Sequence, residues 1–337
     1  MTGFLRGVTV AVAVTLLSLS SASAGTAVKF VLDWAVIGTH TPFAVALHDK
    51  LYEKRGLDVK IDRGYGSVDT ISKIGNGLYD LGFADPNLLL EYNAKNPDAK
   101  VTMVFLISDG SQSAIVARKA SGIKTPKDLD KKKIGGAAGD NTRKMAPVYG
   151  ALAGFNEKTI DWVSAQPAIK ETLLVRGDVD ALATLEPTTL LGLKKLGADP
   201  SDFVSFRYSE YMPELMGTGI IASQKMIKEK PEVVRAFVAA SMEALKIALH
   251  DPKRAVSTLA DLDSLVDREN ELARFQMGNE LAYSSPELKT EGLGYVSDER
   301  LRKCLGYVSS AVGVPVPAKI NEIYDQEFLP PKKDRLL

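Results

Sequence analysis

The sequence predicts an α/β protein with two lobes, and three observations support this prediction. Short apolar, strand-like runs alternate with helix-like stretches, which favours mostly parallel sheets covered by helices. The alternation begins near residue 28, restarts near residue 113, and gives way to an almost wholly helical pattern from residue 231 onward. We therefore expect two sheets, with a ligand crevice at the carboxyl ends of their strands.

The first lobe is predicted to contain four strands and three helices. Each helix begins just after a strand ends, with Pro42 at a first helical position and Asp85 as a cap followed by Pro86. The predicted strands are 28–32, 57–62, 80–84 and 101–107, and the predicted helices are 42–54, 68–76 and 86–95.

The second lobe repeats this pattern. Thr125 and Pro126 open a short helix, Asp140 with Asn141 caps the next helix, and Gly154 can end it. The predicted strands are 113–118, 132–137, 160–164 and 179–185, and two further helices are predicted over 167–176 and 188–196.

A last strand, 217–222, is predicted to return to the first lobe. The segments near 113–118 and 218–222 would then form the hinge. The helical C-terminal part carries an apolar stripe between Val233 and Leu249, which indicates packing rather than a binding face. We therefore expect a first lobe of residues 25–115 and 220–337, and a second lobe of residues 116–219.

Residues 1–24 have the pattern of a cleaved secretory signal. They carry one charge, Arg6, followed by an apolar stretch from Val8 to Leu19 and the small residues Ala22-Ser23-Ala24. The stretch is shorter than the roughly 20 residues that span a bilayer, and no cysteine near the cleavage point offers a lipid anchor. We expect a mature protein that begins at Gly25 and is a free monomer in the periplasm.

Charge and metal-ligand content argue against several classes of function. The chain has 42 basic and 42 acidic residues, so no nucleic-acid partner is indicated. Its three histidines and one cysteine share no tight spacing, which disfavours a structural zinc site. Cys304 cannot form an internal disulfide, and we expect it to be buried on a helix. No metal or cofactor is predicted.

Several short motifs follow one another in the order and spacing of a known family. They are Leu32-Asp33-Trp34 with His40-Thr41, Glu53-Lys54-Arg55-Gly56-Leu57-Asp58-Val59, Gly66-Ser67-Val68-Asp69, Gly77-Leu78-Tyr79-Asp80-Leu81-Gly82 with Asp85, Lys133-Ile134-Gly135, and Asp178-Val179-Asp180-Ala181 with Glu186-Pro187. Through them the chain resembles, from Val28 to about Ala248, the solute-binding proteins of ABC importers that bind thiamine pyrimidine, riboflavin, taurine, alkanesulfonates or nitrate.

The resemblance implies a fold and a function. The implied fold is the type II periplasmic-binding-protein fold, with two mixed sheets flanked by helices and joined by a hinge. The implied function is capture of a small molecule between the lobes and its delivery to an ABC permease and the permease's ATPase in the inner membrane, without catalysis. The early Asp-Trp pair and histidine are most similar to the pyrimidine-binding branch.

Candidate ligand-binding residues lie just beyond the strand ends. Trp34 and Phe43 offer ring surface for stacking. His40 can donate or accept a hydrogen bond, although a bond to a backbone carbonyl is equally consistent. Gly66-Ser67-Val68 in the first lobe and Gly139-Asp140-Asn141 in the second lobe begin helices whose N–H groups can meet a polar ligand, and Ser67 can equally be an ordinary cap.

Asp85 and Glu186 each follow a strand and precede a proline, which places one carboxylate at the mouth of each lobe. Helix capping is the alternative role for both. Facing carboxylates favour a ligand with amino or ring N–H donors, such as a thiamine-pyrimidine precursor or a related heterocycle. Taurine, an alkanesulfonate, nitrate or an aromatic carboxylate are the alternative ligands.

Two other classes of protein remain as alternatives. The same fold resembles yeast-type thiamine-pyrimidine synthases, but those enzymes carry a cysteine-rich cluster, and this chain has only Cys304. A periplasmic sensor would use the same ligand-induced closure as an import protein.

Overall fold

The computed structural model describes residues 25–137, 140–166 and 169–337, and within them ten strands and thirteen α-helices occur. The strands are β1 (Thr26–Val31), β2 (Leu57–Asp62), β3 (Leu81–Ala84), β4 (Val101–Leu106), β5 (Ser113–Arg118), β6 (Lys133–Gly135), β7 (Asp161–Val163), β8 (Ala181–Leu185), β9 (Phe203–Arg207) and β10 (Gly219–Ser223). The helices are α1 (Thr41–His48), α2 (Ser67–Gly75), α3 (Leu89–Lys95), α4 (Asn141–Ala153), α5 (Lys170–Arg176), α6 (Glu186–Lys195), α7 (Gln224–Glu229), α8 (Pro231–His250), α9 (Pro252–Ser257), α10 (Arg268–Ala282), α11 (Pro286–Glu291), α12 (Asp298–Val312) and α13 (Lys332–Arg335).

The strands form two five-stranded mixed sheets, which confirms the predicted fold class. The first sheet has the order β2-β1-β3-β10-β4, and the second has the order β7-β6-β8-β5-β9. In the first sheet β1 runs parallel to β2 and β3, whereas β10 runs antiparallel to β3 and β4. In the second sheet β6 runs parallel to β7 and β8, whereas β5 runs antiparallel to β8 and β9.

The antiparallel strand of each sheet is the one that arrives from the other sheet. β5 begins beside the carboxyl end of β8, where Ser113 lies opposite Leu185. β10 begins beside the carboxyl ends of β3 and β4, where Gly219 lies opposite Ala84 and Leu106. A chain that crosses at this edge must therefore enter the next sheet in the reverse direction. The carboxyl ends of both sets of parallel strands consequently face one cleft, as doubly wound sheets require.

Two crossing segments, residues 107–112 and 208–218, connect the sheets and are hydrogen-bonded to each other. The N–H groups of Ile107 and Ser108 donate to the carbonyl of Thr218 at 3.0 and 2.9 Å, and the Gly217 N–H donates to the Ser108 carbonyl at 3.1 Å. The segments predicted as the hinge, 113–118 and 218–222, are largely β5 and β10. A hinge motion and the proposed lobe limits remain predictions.

The structure differs from the prediction at two predicted helices and at one strand that was not predicted. The helix predicted over 42–54 ends at His48, because Lys50 takes a left-handed φ of 59°, and a short 3₁₀ turn follows at Glu53–Arg55. Strand β9 was not predicted; it is a five-residue edge strand. α6 begins at Glu186, two residues earlier than predicted. The start of the helix predicted over 167–176 lies outside the described residues, and α5 ends at Arg176 as predicted.

The helices cover both faces of the first sheet. On one face α1 and α8 pack through Phe43 and Phe237 against Phe30 of β1, with ring centroids 4.7 and 4.8 Å apart. The predicted apolar stripe of α8 is confirmed as core, since Val234, Phe237, Val238 and Leu245 are fully buried. On the other face α12 carries the buried Cys304, as expected. Within the described ranges, no helix combines the length and apolarity needed to cross a membrane.

Candidate functional site

The two lobes meet across the cleft through the first turns of α4. The Asn141 side-chain amide donates to Oδ2 of Asp85 at 2.7 Å, and the Lys144 ammonium lies 2.5 Å from a carboxylate oxygen of Glu91. Asn141 and Lys144 are three residues apart, so they share one helix face. This face of α4 therefore contacts the end of β3 and helix α3 in the opposite lobe.

Asp85 lies at the end of β3 and is the polar centre of the contact. Its Oδ1 accepts hydrogen bonds from the Asn87 N–H at 2.9 Å and the Asn87 side-chain amide at 2.7 Å, so it caps the 3₁₀ turn Pro86–Leu88 as predicted. Asp85 keeps part of its surface exposed. The surrounding protein nevertheless desolvates the carboxylate, and this burial raises its pKa to about 7.

Asp140 and Asn141 form the matching position in the second lobe. Asp140 accepts a hydrogen bond from the Thr142 N–H at 3.0 Å and caps the start of α4, and Gly154 is the C-cap after its last residue, as predicted. Burial raises the pKa of Asp140, and the positive charge of Lys170 partly opposes that change. The charge of Asp140 in turn contributes to the raised pKa of Asp85. Gly139, the third residue proposed here, lies outside the described residues.

His40 is a buried support for the loop that carries Trp34. Its Nε2 lies 2.8 Å from a carboxylate oxygen of Asp33, and its Nδ1 accepts the Ile37 N–H at 3.2 Å. Because Nδ1 accepts a hydrogen bond, the ring proton belongs on Nε2, where it is donated to Asp33. Both nitrogens are therefore engaged within the protein, with a carboxylate in place of the backbone carbonyl considered earlier. Trp34 stays partly exposed on the same loop.

Phe43 is a core residue rather than a ligand platform in this structure. Its side chain is fully buried, and its ring packs against Phe30 and Phe83 at centroid distances of 4.7 and 5.1 Å. Position 43 lies in the first turn of α1, on the face that covers the sheet. No ring surface of Phe43 is available to a ligand in this arrangement, which corrects the stacking role considered from the sequence.

The Gly66-Ser67-Val68 segment ties neighbouring strand ends together. Gly66 has a φ of 118°, and its N–H donates to the Asp33 carbonyl at 2.6 Å. The Ser67 hydroxyl accepts the Asp85 N–H at 3.1 Å instead of capping its own helix. Val68 is 48% exposed and lines a small groove beside Lys144. Ser67 thus positions Asp85.

Tyr65 is an exposed aromatic that the sequence reasoning did not select. It is 67% exposed, and the guanidinium of Arg63 and the ammonium of Lys73 lie 5.2 and 5.3 Å from its ring centroid. The signal in the sequence was its position between two glycines, Gly64 and Gly66. In the structure the Gly64 N–H donates to the Trp34 carbonyl at 3.0 Å. Tyr65 and Trp34 therefore occupy adjacent loops.

Glu186 does not present a free carboxylate. It is the first residue of α6 and is 4% exposed, and its carboxylate accepts a hydrogen bond from Nε of Arg207 at 2.6 Å. Leu185, not Glu186, occupies the cap position. Arg207 lies on the unpredicted strand β9, so the sequence reasoning missed this pair. The acid whose charge raises the pKa of another acid across the cleft is Asp140, which acts on Asp85.

A cavity of about 270 Å³ lies between Val36, α6 and the start of α10. One wall is the ion pair of Glu271 and Arg274, in which Nε of Arg274 lies 2.8 Å from the carboxylate. Glu271 also accepts the Gly38 N–H at 2.7 Å. α10 therefore fixes the loop that follows Trp34, through a contact that joins residues 233 positions apart.

The nucleophilic and metal-binding chemistry of the site is limited. In the part of the chain that the structure describes, no group of three or more His, Cys, Asp or Glu side chains is arranged to hold a metal. The thiol of Cys304 donates to the Asn87 side-chain carbonyl at 3.1 Å, and burial raises its pKa to about 12. A thiol with so high a pKa is a poor nucleophile at neutral pH.

Comparisons with known proteins give the family. The NMT1/THI5-like family model matches residues 38–255. A binding protein of Brucella abortus is 25% identical over 221 residues, which are 64% of this chain and 66%, just under two thirds, of that relative. A 4-amino-5-hydroxymethyl-2-methylpyrimidine phosphate synthase of Saccharomyces cerevisiae is 25% identical over 302 residues, covering 85% of this chain and 78% of the yeast protein.

Solved structures support the fold. The alkanesulfonate-binding protein of Xanthomonas axonopodis pv. citri, bound to MOPS, superposes with a TM-score of 0.67 at 16% identity, covering 90% of this chain and 98% of that one. The periplasmic nitrate-binding protein of Synechocystis PCC 6803 gives a TM-score of 0.69 at 12% identity and covers 90% and 87% of the two chains. The chain thus has the fold of periplasmic binding proteins, and it belongs to the NMT1/THI5-like family.

Proposed function

We propose that this chain is the substrate-binding component of an ABC import system. It would be exported by residues 1–24, capture a small molecule between its lobes in the periplasm, and deliver it to a membrane permease with its ATPase. The ligand we propose is a thiamine-pyrimidine precursor or a related heterocycle with N–H donors. The protein would act as a monomer without a cofactor and without catalysing a reaction.

The observation that carries the ligand class is the pair of acids at the helix starts facing the cleft. Asp85 of the first lobe and Asp140 of the second lie near enough for the charge of one to raise the pKa of the other. Two desolvated carboxylates repel an anion and accept hydrogen bonds from amino and ring N–H groups. A taurine, sulfonate or nitrate ligand would need cationic or hydroxyl groups at these positions instead.

Membership in the NMT1/THI5-like family also supports this proposal. The chain is similar both to a yeast protein named a pyrimidine phosphate synthase and to the Brucella binding protein. An enzymatic role is less well supported, because the one cysteine of this chain is buried with a raised pKa. The sensor alternative uses the same cleft and differs only in the membrane partner.

The decisive experiment is identification of the small molecule that the purified protein releases on denaturation. Mass spectrometry should find an aminopyrimidine or a related nitrogen heterocycle, and calorimetric titration of that compound should give one site per chain. Recovery of taurine, an alkanesulfonate, nitrate or an aromatic carboxylate would refute the ligand class. N-terminal sequencing of periplasmic protein should give Gly25, and an intact Met1 would refute export by cleavage.

A further inference from the structure

The hydrogen bonds of Asp85 leave room for one more donor. A carboxylate has about four acceptor positions, two on each oxygen. Both positions of Oδ1 are taken by the backbone N–H and the side-chain amide of Asn87, at 2.9 and 2.7 Å. Oδ2 accepts one hydrogen bond, from Asn141 at 2.7 Å. No other described residue donates to Oδ2, so within the described ranges one position is open on this oxygen, which faces the other lobe.

Asp85 also lacks a compensating positive charge. All three of its donors are neutral, and no Lys, Arg or His side chain pairs with it within the described ranges. Two lysines of the second lobe are engaged elsewhere: Lys144 pairs with Glu91, and Lys170 donates to the Thr184 hydroxyl at 2.6 Å. A desolvated carboxylate without a cation is costly, and a bound cation would remove that cost.

The other titratable groups packed around Asp85 do not supply the charge. Asp140 on α4 is itself acidic and raises the pKa of Asp85. Cys304 on α12 is a protonated thiol that donates to Asn87. Ser67 at the start of α2 accepts the Asp85 N–H and does not reach the carboxylate. The described residues therefore supply no positive charge to Asp85, so its charge is offset either by a proton or by a cation from outside the chain.

We propose that Asp85 binds the ligand as a monovalent cation, through an amidinium-like or ammonium N–H group that fills the open position on Oδ2. This inference rests on the proposed function and narrows its ligand class to nitrogen bases that bind in their protonated form. Asn141 of the opposite lobe donates to the same oxygen. Oδ2 of Asp85 would therefore contact both the bound cation and the second lobe. Asp85 is then the residue that favours a cationic ligand over a neutral one.

Benzamidinium and benzamide are suitable probes, because they share a shape and differ in charge. Each is added at millimolar concentration to the ligand-free protein at pH 8, and the melting temperature and the calorimetric binding constant are measured. Benzamidinium should bind and benzamide should not. Asp85→Asn should weaken benzamidinium binding by about tenfold to a hundredfold, the range for a hydrogen bond to a charged group. The matched control is Asp98→Asn, an exposed acid outside the cleft, which should change nothing.

A measurement on the unmodified protein covers the case in which Asp85→Asn fails to fold. Benzamidinium stays charged at pH 5, whereas Asp85, with its pKa of about 7, becomes neutral there, so the binding should be lost. Equal binding of both probes, binding that survives Asp85→Asn or pH 5, or no binding at millimolar concentration would each overturn the cation inference. The proposed function would stand in those cases if the released molecule is a neutral heterocycle, and it would fall if taurine or nitrate alone binds.

Discussion

The raised pKa of Asp85 predicts that replacing this acid stabilises the empty protein at alkaline pH. The folded-state pKa of about 7 lies above the ordinary value of 3.8. Between these two values the folded protein holds a proton that the unfolded chain has released, so stability falls as the pH rises through this window. Above pH 7 the folded protein carries the whole cost of the desolvated charge.

The magnitude follows from the same values. About three pKa units correspond to about 4 kcal/mol, and the partial exposure of Asp85 reduces this to about 2 kcal/mol. Asp85→Asn removes the charge and retains an acceptor for Asn87, while Asn141 can rotate its amide to meet the new group. We therefore expect Asp85→Asn to raise the free energy of unfolding by about 1–3 kcal/mol at pH 8.

Urea unfolding of ligand-free protein at pH 8 and pH 5 tests this expectation. The stabilisation should be largest at pH 8 and less than half as large at pH 5, because pH 5 lies below the folded-state pKa of about 7 but above the ordinary value of 3.8. Asp98→Asn, on the exposed surface, should change the free energy of unfolding by the same small amount at both pH values. A stability difference between Asp85→Asn and the unmodified protein that is the same at both pH values would refute the reasoning.

Three further substitutions test the placement of other residues. Phe43→Ala should lower the free energy of unfolding by about 3–5 kcal/mol, measured by urea titration; a loss below about 1 kcal/mol would mean that the ring is not in the core. Gly38→Ala places a Cβ 2.5 Å from a carbonyl oxygen of α10 and should lower the melting temperature, whereas Gly306→Ala, a helical position with nothing within 4 Å, should not. Glu186→Gln should change ligand affinity much less than Asp85→Asn, as calorimetry can show; an equal or larger loss would place Glu186 at the ligand.

The parts of the site that could be predicted from the sequence are those that depend on local structure. Asp85 and Asp140 were recognised because a strand end, an acid and a following helix start are close in sequence and specify a cap. The roles of Phe43 and Glu186 depend on distant partners. Phe43 meets Phe83 through sheet packing, and Glu186 meets Arg207 on a strand that was not predicted.

The fold could be predicted more fully than the site for a similar reason. Alternation of strands and helices is a repeated local signal, and it correctly indicated two layered α/β sheets. In the missed strand, β9, the buried residues Phe203 and Phe206 are three positions apart, so the segment lacks the period-two alternation that predicts a strand. The contact between Gly38 and Glu271 spans 233 residues, and no local pattern encodes it.

The place of β10 in the first sheet has a consequence for the order in which the lobes can form. This strand lies between β3 and β4, yet it follows every strand of the second sheet along the chain. All strands of the second sheet lie within the continuous stretch 113–207, so that lobe can assemble from an uninterrupted segment. The first lobe stays divided until residues 219–223 have been synthesised. Because Leu106 lies opposite Gly219, the second lobe is in effect an insertion into a β-hairpin, and a tight turn in its place should yield a first lobe that folds alone.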